Sequence, residues 1–169
     1  MWIYNDKRVA NVGDLPDNAI GFIYQITNKD NGKHYIGMKE LYMWKTCGKS
    51  KFLLAKERGD ATRRYKNKSK SKPGAPVWVH QVRGERDWLT YNGSNAELLE
   101  DIKNGANLSK EIWETAECKK KLTFLELEAL IKMDVLRDAK NYYNSNILGK
   151  FFPRDITCQY GSEEDTSTS

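Results

Sequence analysis

The dipeptide Asn31-Gly32 constrains the folding of this chain more than any other feature. Both positions tolerate the positive φ that tight hairpin turns require, and strand-forming stretches flank them. Gly21-Phe22-Ile23-Tyr24-Gln25-Ile26-Thr27 is β-branched and aromatic, and His34-Tyr35-Ile36-Gly37 resumes after the polar run from Asn28 to Lys33. Residues 20–39 therefore read as an antiparallel strand pair. Directly opposed residues in such a pair share a face, and their numbers sum to a constant. A two-residue loop at Asn31-Gly32 makes that sum 63, so that Tyr24 opposes Lys39 and Tyr35 opposes Asn28. A four-residue loop over residues 29–32 makes it 61. In either register Tyr24, Tyr35 and Lys39 project from one face. Two phenols and an ammonium converging there are unusual for plain core packing, although tyrosines are common in strands.

Beyond the hairpin the punctuation changes. Residues 45–76 show no sustained period, are rich in Lys and Ser, and close on Pro73-Gly74-Ala75-Pro76. They read as a long exposed insertion reaching to about residue 87, with at most one short helix around Leu53 to Tyr65. Residues 88–148 read as mainly helical. Ser94-Asn95-Ala96-Glu97 is a capping box before Leu98, Leu99 and Ile102, and Asn104-Gly105 stops that helix. A short apolar strand or helix turn is expected near Glu111-Ile112-Trp113. Thr123-Phe124-Leu125-Glu126 reads as a second capping box, opening a helix through about Leu136. Tyr142 to Ile147 reads as extended, and residues 151–169 as a tail too polar to bury anything, expected to be disordered. The whole predicts an α+β domain over residues 1–150 with a small antiparallel sheet.

Charge adds a partner class. The chain holds 28 Lys and Arg against 23 Asp and Glu, a net +5. The excess is concentrated, because residues 39–72 carry twelve basic and three acidic groups while residues 1–38 carry four of each. Such a block predicts a polyanion, since each Lys or Arg near a phosphate releases condensed counterions. The bland reading is a solubilising loop. No apolar run approaches the roughly 18–20 residues of a spanning helix, and the start lacks the order of a signal peptide. Cys47, Cys118 and Cys158 are an odd count without CxxC or CxxH spacing, against both a disulfide framework and a Cys-type zinc site. A reduced, soluble, cytoplasmic protein with no membrane partner is expected.

The second helix offers a carboxylate. At about 100° per residue, Phe124, Ile131 and Val135 fall on one stripe with Glu128 at its edge. A Glu beside apolar residues is either solvated at a rim or held by a metal ion. One carboxylate plus water suits Mg²⁺, which keeps most of its hydration shell. Glu126 competes for that role, but as the third residue of the capping box it has a structural task.

Phe22-Ile23-Tyr24, ten intervening residues, and Tyr35-Ile36-Gly37 resemble the paired motif of the GIY-YIG nuclease superfamily. The later helical glutamate and Tyr143-Asn144 match the family's downstream elements in order and spacing. Asp87-Trp88-Leu89-Thr90-Tyr91-Asn92-Gly93-Ser94 resembles a phage-encoded, homing-endonuclease-like subgroup, which would place the protein in a host cytoplasm. The resemblance covers about residues 1–150. It implies a small three-stranded antiparallel sheet flanked by helices, and cleavage of double-stranded DNA with one divalent metal, Mg²⁺ or Mn²⁺. By carry-over, Tyr24 orients or activates the attacking water, Tyr35 is its partner, Glu128 is the metal ligand, and Asn144 is the family's late asparagine.

Two departures from the family accompany the match. The position of the family's arginine falls at Lys45, so Lys39 is taken as the substitute, with Arg63 and Arg64 behind it. The position of the family's histidine falls near Asn92, while His34 faces the wrong way and His80 lies in the insertion. Lys39 beside Tyr24 is expected to lower the phenol's pKa. Lys45, Arg63, Arg64, Lys66, Lys68, Lys70, Lys72 and Asn92 form the expected DNA-binding set, with specificity arising in the 45–87 insertion. Two further readings compete with a homing, degradative or structure-specific endonuclease. One is a DNA-binding protein of this fold without turnover, and the other is an interaction module using the basic loop on acidic partners.

Overall fold

A computed structural model describes residues 1–66 and 77–156 of the chain; the side chains of residues 64–66 and 77–78 are not among the described parts. In chain order the elements are β1 (Trp2–Tyr4), β2 (Lys7–Val9), a 3-10 turn (Val12–Asp14), β3 (Gly21–Asn28), β4 (His34–Glu40), β5 (Tyr42–Thr46), α1 (Lys49–Glu57), β6 (Ala61–Lys66), β7 (Val77–Glu85), α2 (Ala96–Lys103), β8 (Leu108–Ala116), α3 (Lys119–Lys132) and the short α4 (Pro153–Ile156). They form two compact units, Met1–Lys39 with the chain from Leu89 onward, and Glu40–Trp88. Among the described residues no helix is long and apolar enough to cross a membrane.

The first unit is built on a five-stranded sheet in the order β2-β1-β8-β3-β4. The expected three-stranded sheet is thus too small, and the additional strands have local causes. Asn5 and Asp6 both take positive φ (49° and 62°), making a two-residue turn that pairs Tyr4 with Lys7 and folds β1 onto β2. Segment 108–116 pairs antiparallel with β3 and parallel with β1, at the centre of the sheet. The short apolar strand or helix turn expected near Glu111-Ile112-Trp113 is this strand, and its charged Lys110, Glu111 and Glu114 hid its full nine-residue length, although Lys110 is buried. At the 28–33 turn, the Asn28 N–H donates to the Lys33 carbonyl (2.9 Å) and the Gly32 N–H to the Asn28 carbonyl (2.8 Å). This is the four-residue loop, with only Gly32 in the left-handed region (φ 75°).

β3 is buried on both faces, as its nearly continuous apolar run requires. Ile23 joins Leu122, Leu125 and Leu130 of α3 in the main core, together with Ile36, Val135, Tyr142 and Ile147. On the other face Trp2, Phe22 and Tyr24 pack edge to face, with ring centroids 5.2–6.1 Å apart.

α3 begins five residues before the expected start. Cys118 caps it through a Lys121 N–H to Sγ contact (3.5 Å), so Thr123 lies inside the first turns and donates its hydroxyl to the Lys119 carbonyl (3.1 Å). There is no capping box at Thr123, and the helix ends at Lys132. α2 starts at Ala96 under an Asn95 cap, one residue after the expected Ser94, and stops at Asn104 before Gly105 (φ 91°) as the sequence predicts.

In the second unit, the segment expected to be a loop is folded. β5, β7 and β6 form a three-stranded antiparallel sheet in that order, and α1 starts ahead of the 53–65 span assigned to a helix and shares only residues 53–57 with it, the end of that span being β6. Among the described side chains of this unit, Leu41, Phe52, Ala55, Val82 and Trp88 are the buried apolar ones. The alternation of the Val77-Trp78-Val79-His80-Gln81-Val82 run was the strand signal, set beside a lysine-rich stretch that masked it. The tail expected to be disordered from residue 151 is folded at its start, where Phe151 bridges Ile147 and α4 follows; Lys68, Lys70, Lys72 and residues 157–169 lie outside the described residues.

Candidate active site

Strand alternation puts Tyr35, Gly37 and Lys39 of β4 on the Tyr24 side of the sheet. The Tyr24 and Tyr35 rings lie 6.1 Å apart. Gly37 is required between them. A Cβ there would stand 2.8 Å from the Tyr24 hydroxyl oxygen, 3.0 Å from its Cζ and 3.2 Å from Tyr35 Cε1. Gly93, at φ 87°, does the same on the other flank, where a Cβ would meet Tyr35 Cε1 at 2.9 Å. Two glycines therefore let two aromatic rings lie flat against backbone.

A third phenol completes the cluster. Tyr91 packs perpendicular to Tyr24 (6.1 Å) and is hydrogen-bonded to its hydroxyl. The Lys39 ammonium lies 3.6 Å from the centroid of the Tyr91 ring, a cation–π contact that fixes it over the cluster. The loop bearing Tyr91 is held from below by buried Lys110, which donates to the Tyr91 carbonyl (2.6 Å) and to Asn92 Oδ1. Tyr35 reaches outward to Ser94 Oγ (3.2 Å). Sequence reasoning did not single out Tyr91, Ser94 or Lys110. The first two lay inside the Trp-x-x-Tyr-x-Gly-Ser string already noted, whereas nothing in the sequence marked Lys110.

The carboxylate comes from Glu126. The outer edge of β4 is closed by three successive partners. The His34 N–H donates to the Asn141 carbonyl (2.9 Å), and the His34 carbonyl accepts from the Tyr143 N–H (2.8 Å). The Ile36 N–H donates to Asn144 Oδ1 (2.9 Å), and Asn144 Nδ2 donates back to the Ile36 carbonyl (2.8 Å). Finally the Met38 N–H donates to Glu126 Oε1 (3.1 Å). Edge pairing is thereby blocked, and Glu126 and Asn144 are brought to one cleft of about 490 Å³, with Tyr35, Ile36, Ser94 and Asn95 among its walls.

Glu128 is not there. It pairs with Lys132 (2.7 Å) and lines a different cavity beside Ile23, Trp113 and Leu125. Phe124 and Ile131, taken as its apolar stripe, are 61% and 60% exposed. The buried arc of α3 runs through Leu122, Leu125 and Leu130 instead, and Glu126, at about 40° from Leu122, lies within it.

Other expected site residues have different surroundings. Asn144 spends both ends of its amide on Ile36 backbone, so it holds the strand. Asn92 accepts from Lys110. Lys45 is exposed on β5 with its chain against Gly84, Arg63 lies over the Phe52 ring (5.4 Å), and Arg64 and Lys66 belong to β6. His80 packs on Phe52 (4.4 Å) and His34 Nδ1 meets Thr27 Oγ1 (3.0 Å), so neither joins the phenols.

Burial governs the electrostatics. The Tyr24 phenol is pushed far above its ordinary range, chiefly by desolvation and then by Tyr35 and Tyr91. The expected lowering by Lys39 is not among the causes. Burial raises Tyr35 as well, partly opposed by Ser94. Glu126 is raised by desolvation and lowered by the Met38 N–H. The cluster thus offers protonated phenols, one cation and one acid whose ionised form gains from a nearby positive charge.

Among the described residues no group of three or more His, Cys, Asp or Glu is placed to hold a metal ion. A hydrated hard cation on the single carboxylate fits this donor set, and an all-protein cage does not. The family model described as "Putative endonuclease segE, GIY-YIG domain" matches residues 2–147. No curated protein and no solved structure matches the chain.

Proposed function

Because the chain belongs to the SegE-type GIY-YIG endonuclease family, we propose that it hydrolyses phosphodiester bonds of double-stranded DNA at the Tyr35–Glu126 cleft, with one divalent cation. The observation that carries this reading is the cluster in which Tyr24 packs on Tyr35 and Tyr91, Lys39 lies over Tyr91, and Glu126 shares a cleft with Tyr35. Glu126 would hold Mg²⁺ or Mn²⁺, which when bound supplies Lewis-acid stabilisation of the charge on phosphate and leaving oxygen.

The residues themselves do the positioning. Tyr35, tied to Ser94, presents a phenolic O–H that orients the attacking water or a non-bridging phosphate oxygen. Tyr24 stays protonated throughout, because desolvation makes its phenolate too costly. It therefore works as a hydrogen-bond donor within the Tyr24–Tyr91 pair and not as the general base. Lys39, fixed over Tyr91, supplies the positive charge that the family's arginine would bring to the phosphate. Asn144 and Lys110 act indirectly, the first by holding Ile36 and the second by holding the Tyr91 loop.

Nicking of supercoiled plasmid tests the reading. The protein is expected to convert supercoiled to open-circular or linear DNA with Mg²⁺ or Mn²⁺, and to stop on adding EDTA. A folded chain that binds the plasmid and leaves it intact with every divalent ion would favour the DNA-binding protein without turnover.

A further inference from the structure

The second unit, Glu40–Trp88, carries an open sheet face of its own. α1 lies on one side of its sheet, where Phe52 stacks on His80 and packs near Val82 and Arg63. Strand alternation sends Gln81 and Arg83 to the opposite side. The register sets them in cross-strand rows there. Thr62 and Thr46 flank Gln81, and Trp44 lies opposite Arg83.

This face is built, polar and open. Trp44 is 47% exposed and the Arg83 side chain 43%. The Arg83 guanidinium lies 4.3 Å over the Tyr42 ring, and its Nε meets Asp60 Oδ1 at 3.0 Å. An arginine held on two sides presents its remaining N–H donors in one direction, with little rotamer entropy left to lose on binding. Gln, Arg and Thr are the side chains that read base edges, and Trp offers a flat apolar contact for a thymine methyl.

Charge names the polymer. Residues 40–88 hold thirteen basic and five acidic groups, whereas residues 1–39 and 89–150 together hold fourteen of each. Size agrees as well. Strands about 4.8 Å apart make β5 and β7, which carry Trp44, Gln81 and Arg83, a two-stranded ribbon of the kind that a major groove about 12 Å wide admits.

We infer that the face of β5, β7 and β6 turned away from α1 is a sequence-reading surface that enters the major groove of double-stranded DNA through Trp44, Gln81 and Arg83. The inference rests on the endonuclease reading only for the identity of the polymer. The basic groups of the unit supply sequence-independent grip, and the open face supplies discrimination.

Selection from a random duplex library, with the full-length chain in EDTA, tests this. The wild type is expected to enrich a motif. Trp44→Ala/Gln81→Ala should bind that motif at least tenfold more weakly while keeping its affinity for bulk DNA and its salt slope, since neither side chain is charged. Should that variant melt early, Gln81→Glu keeps the shape and swaps a donor for an acceptor. It should move the enriched base at one position from adenine toward cytosine. No enriched motif from the wild type, an unchanged motif from a folded variant, or a preference for single strands or RNA would overturn the inference. Loss of cleavage with the motif retained would instead strike the endonuclease reading.

Discussion

A methyl group at Gly37 would stand 2.8 Å from the Tyr24 hydroxyl oxygen, so the glycine of the second motif and the tyrosine of the first are one steric unit. That unit was legible in the sequence, because a period of two puts Tyr24, Tyr35 and Lys39 on one face in either hairpin register. The electrostatic state of the phenols was not, since it comes from burial against Trp2 and Tyr91, which lie far away in the chain. Tyr24→Phe and Tyr35→Phe should each slow cleavage at least about tenfold with little change in melting temperature, because each removes a hydroxyl and keeps the ring. Parallel single-turnover rates and melts check this, and rate losses that merely follow stability would assign both rings to packing. The pH dependence follows Glu126. Burial raises its carboxyl above the ordinary range of about 4.3 in the metal-free protein, so divalent-cation binding, which needs the carboxylate, should weaken on the acid side, as metal titrations at several pH values would show. For stability the sign is opposite. The folded state holds the Glu126 proton more tightly than the unfolded one, so this group's stabilisation is present at low pH and is lost as pH rises through the folded value.

At the scale of elements, β4 and α3 decide where the site is. The hairpin and the α2 boundaries were readable from Gly32, Asn104 and Gly105. The start of α3 was not, because Cys118 performs the capping while Thr123-Phe124-Leu125-Glu126 imitates a capping box. The false capping box gives Glu126 a structural task, and the stripe of Phe124, Ile131 and Val135 then brings Glu128 forward. Apolar residues on both sides of α3 gave no correction, since Phe124 and Ile131 are as hydrophobic as the buried Leu122 and Leu125. The edge of β4 is the counterpart. Asn144→Ala leaves the buried Ile36 N–H and carbonyl without their partners, and should cost about 2 kcal/mol in denaturant unfolding. Asn144→Asp, which cannot donate to the Ile36 carbonyl, should fall between it and the wild type. Full activity and full stability in Asn144→Ala would show that the edge does not depend on this amide.

For the whole molecule, the sequence told composition better than organisation. The charge block was plain, but that it belongs to a folded unit of helix and three strands was not. The buried apolar residues of that unit are few, Leu41, Phe52, Ala55, Val82 and Trp88 among the described ones, and they are scattered among charged residues. The same mixture gives a prediction that does not depend on the catalytic residues. Replacing Lys66, Lys68, Lys70 and Lys72 with Gln should weaken binding to all duplexes alike. The slope of log K against log salt should become shallower by up to about 0.9 for each phosphate no longer neutralised, with the rate at saturating DNA nearly unchanged. Titrations at several salt concentrations decide it, and an unaltered slope would make these lysines solubilising groups.

The position of the carboxylate is the claim on which the rest depends, and Glu126→Gln beside Glu128→Gln tests it most directly. Glu126→Gln keeps an oxygen for the Met38 N–H but removes the charge, whereas Glu128→Gln breaks only a half-exposed pair with Lys132, worth about 0.3–0.5 kcal/mol. With both variants folded and bound to DNA, plasmid cleavage in Mg²⁺ should fall at least about a hundredfold in Glu126→Gln and stay within about twofold of wild type in Glu128→Gln. Wild-type cleavage by Glu126→Gln, or its loss in Glu128→Gln alone, would contradict the account.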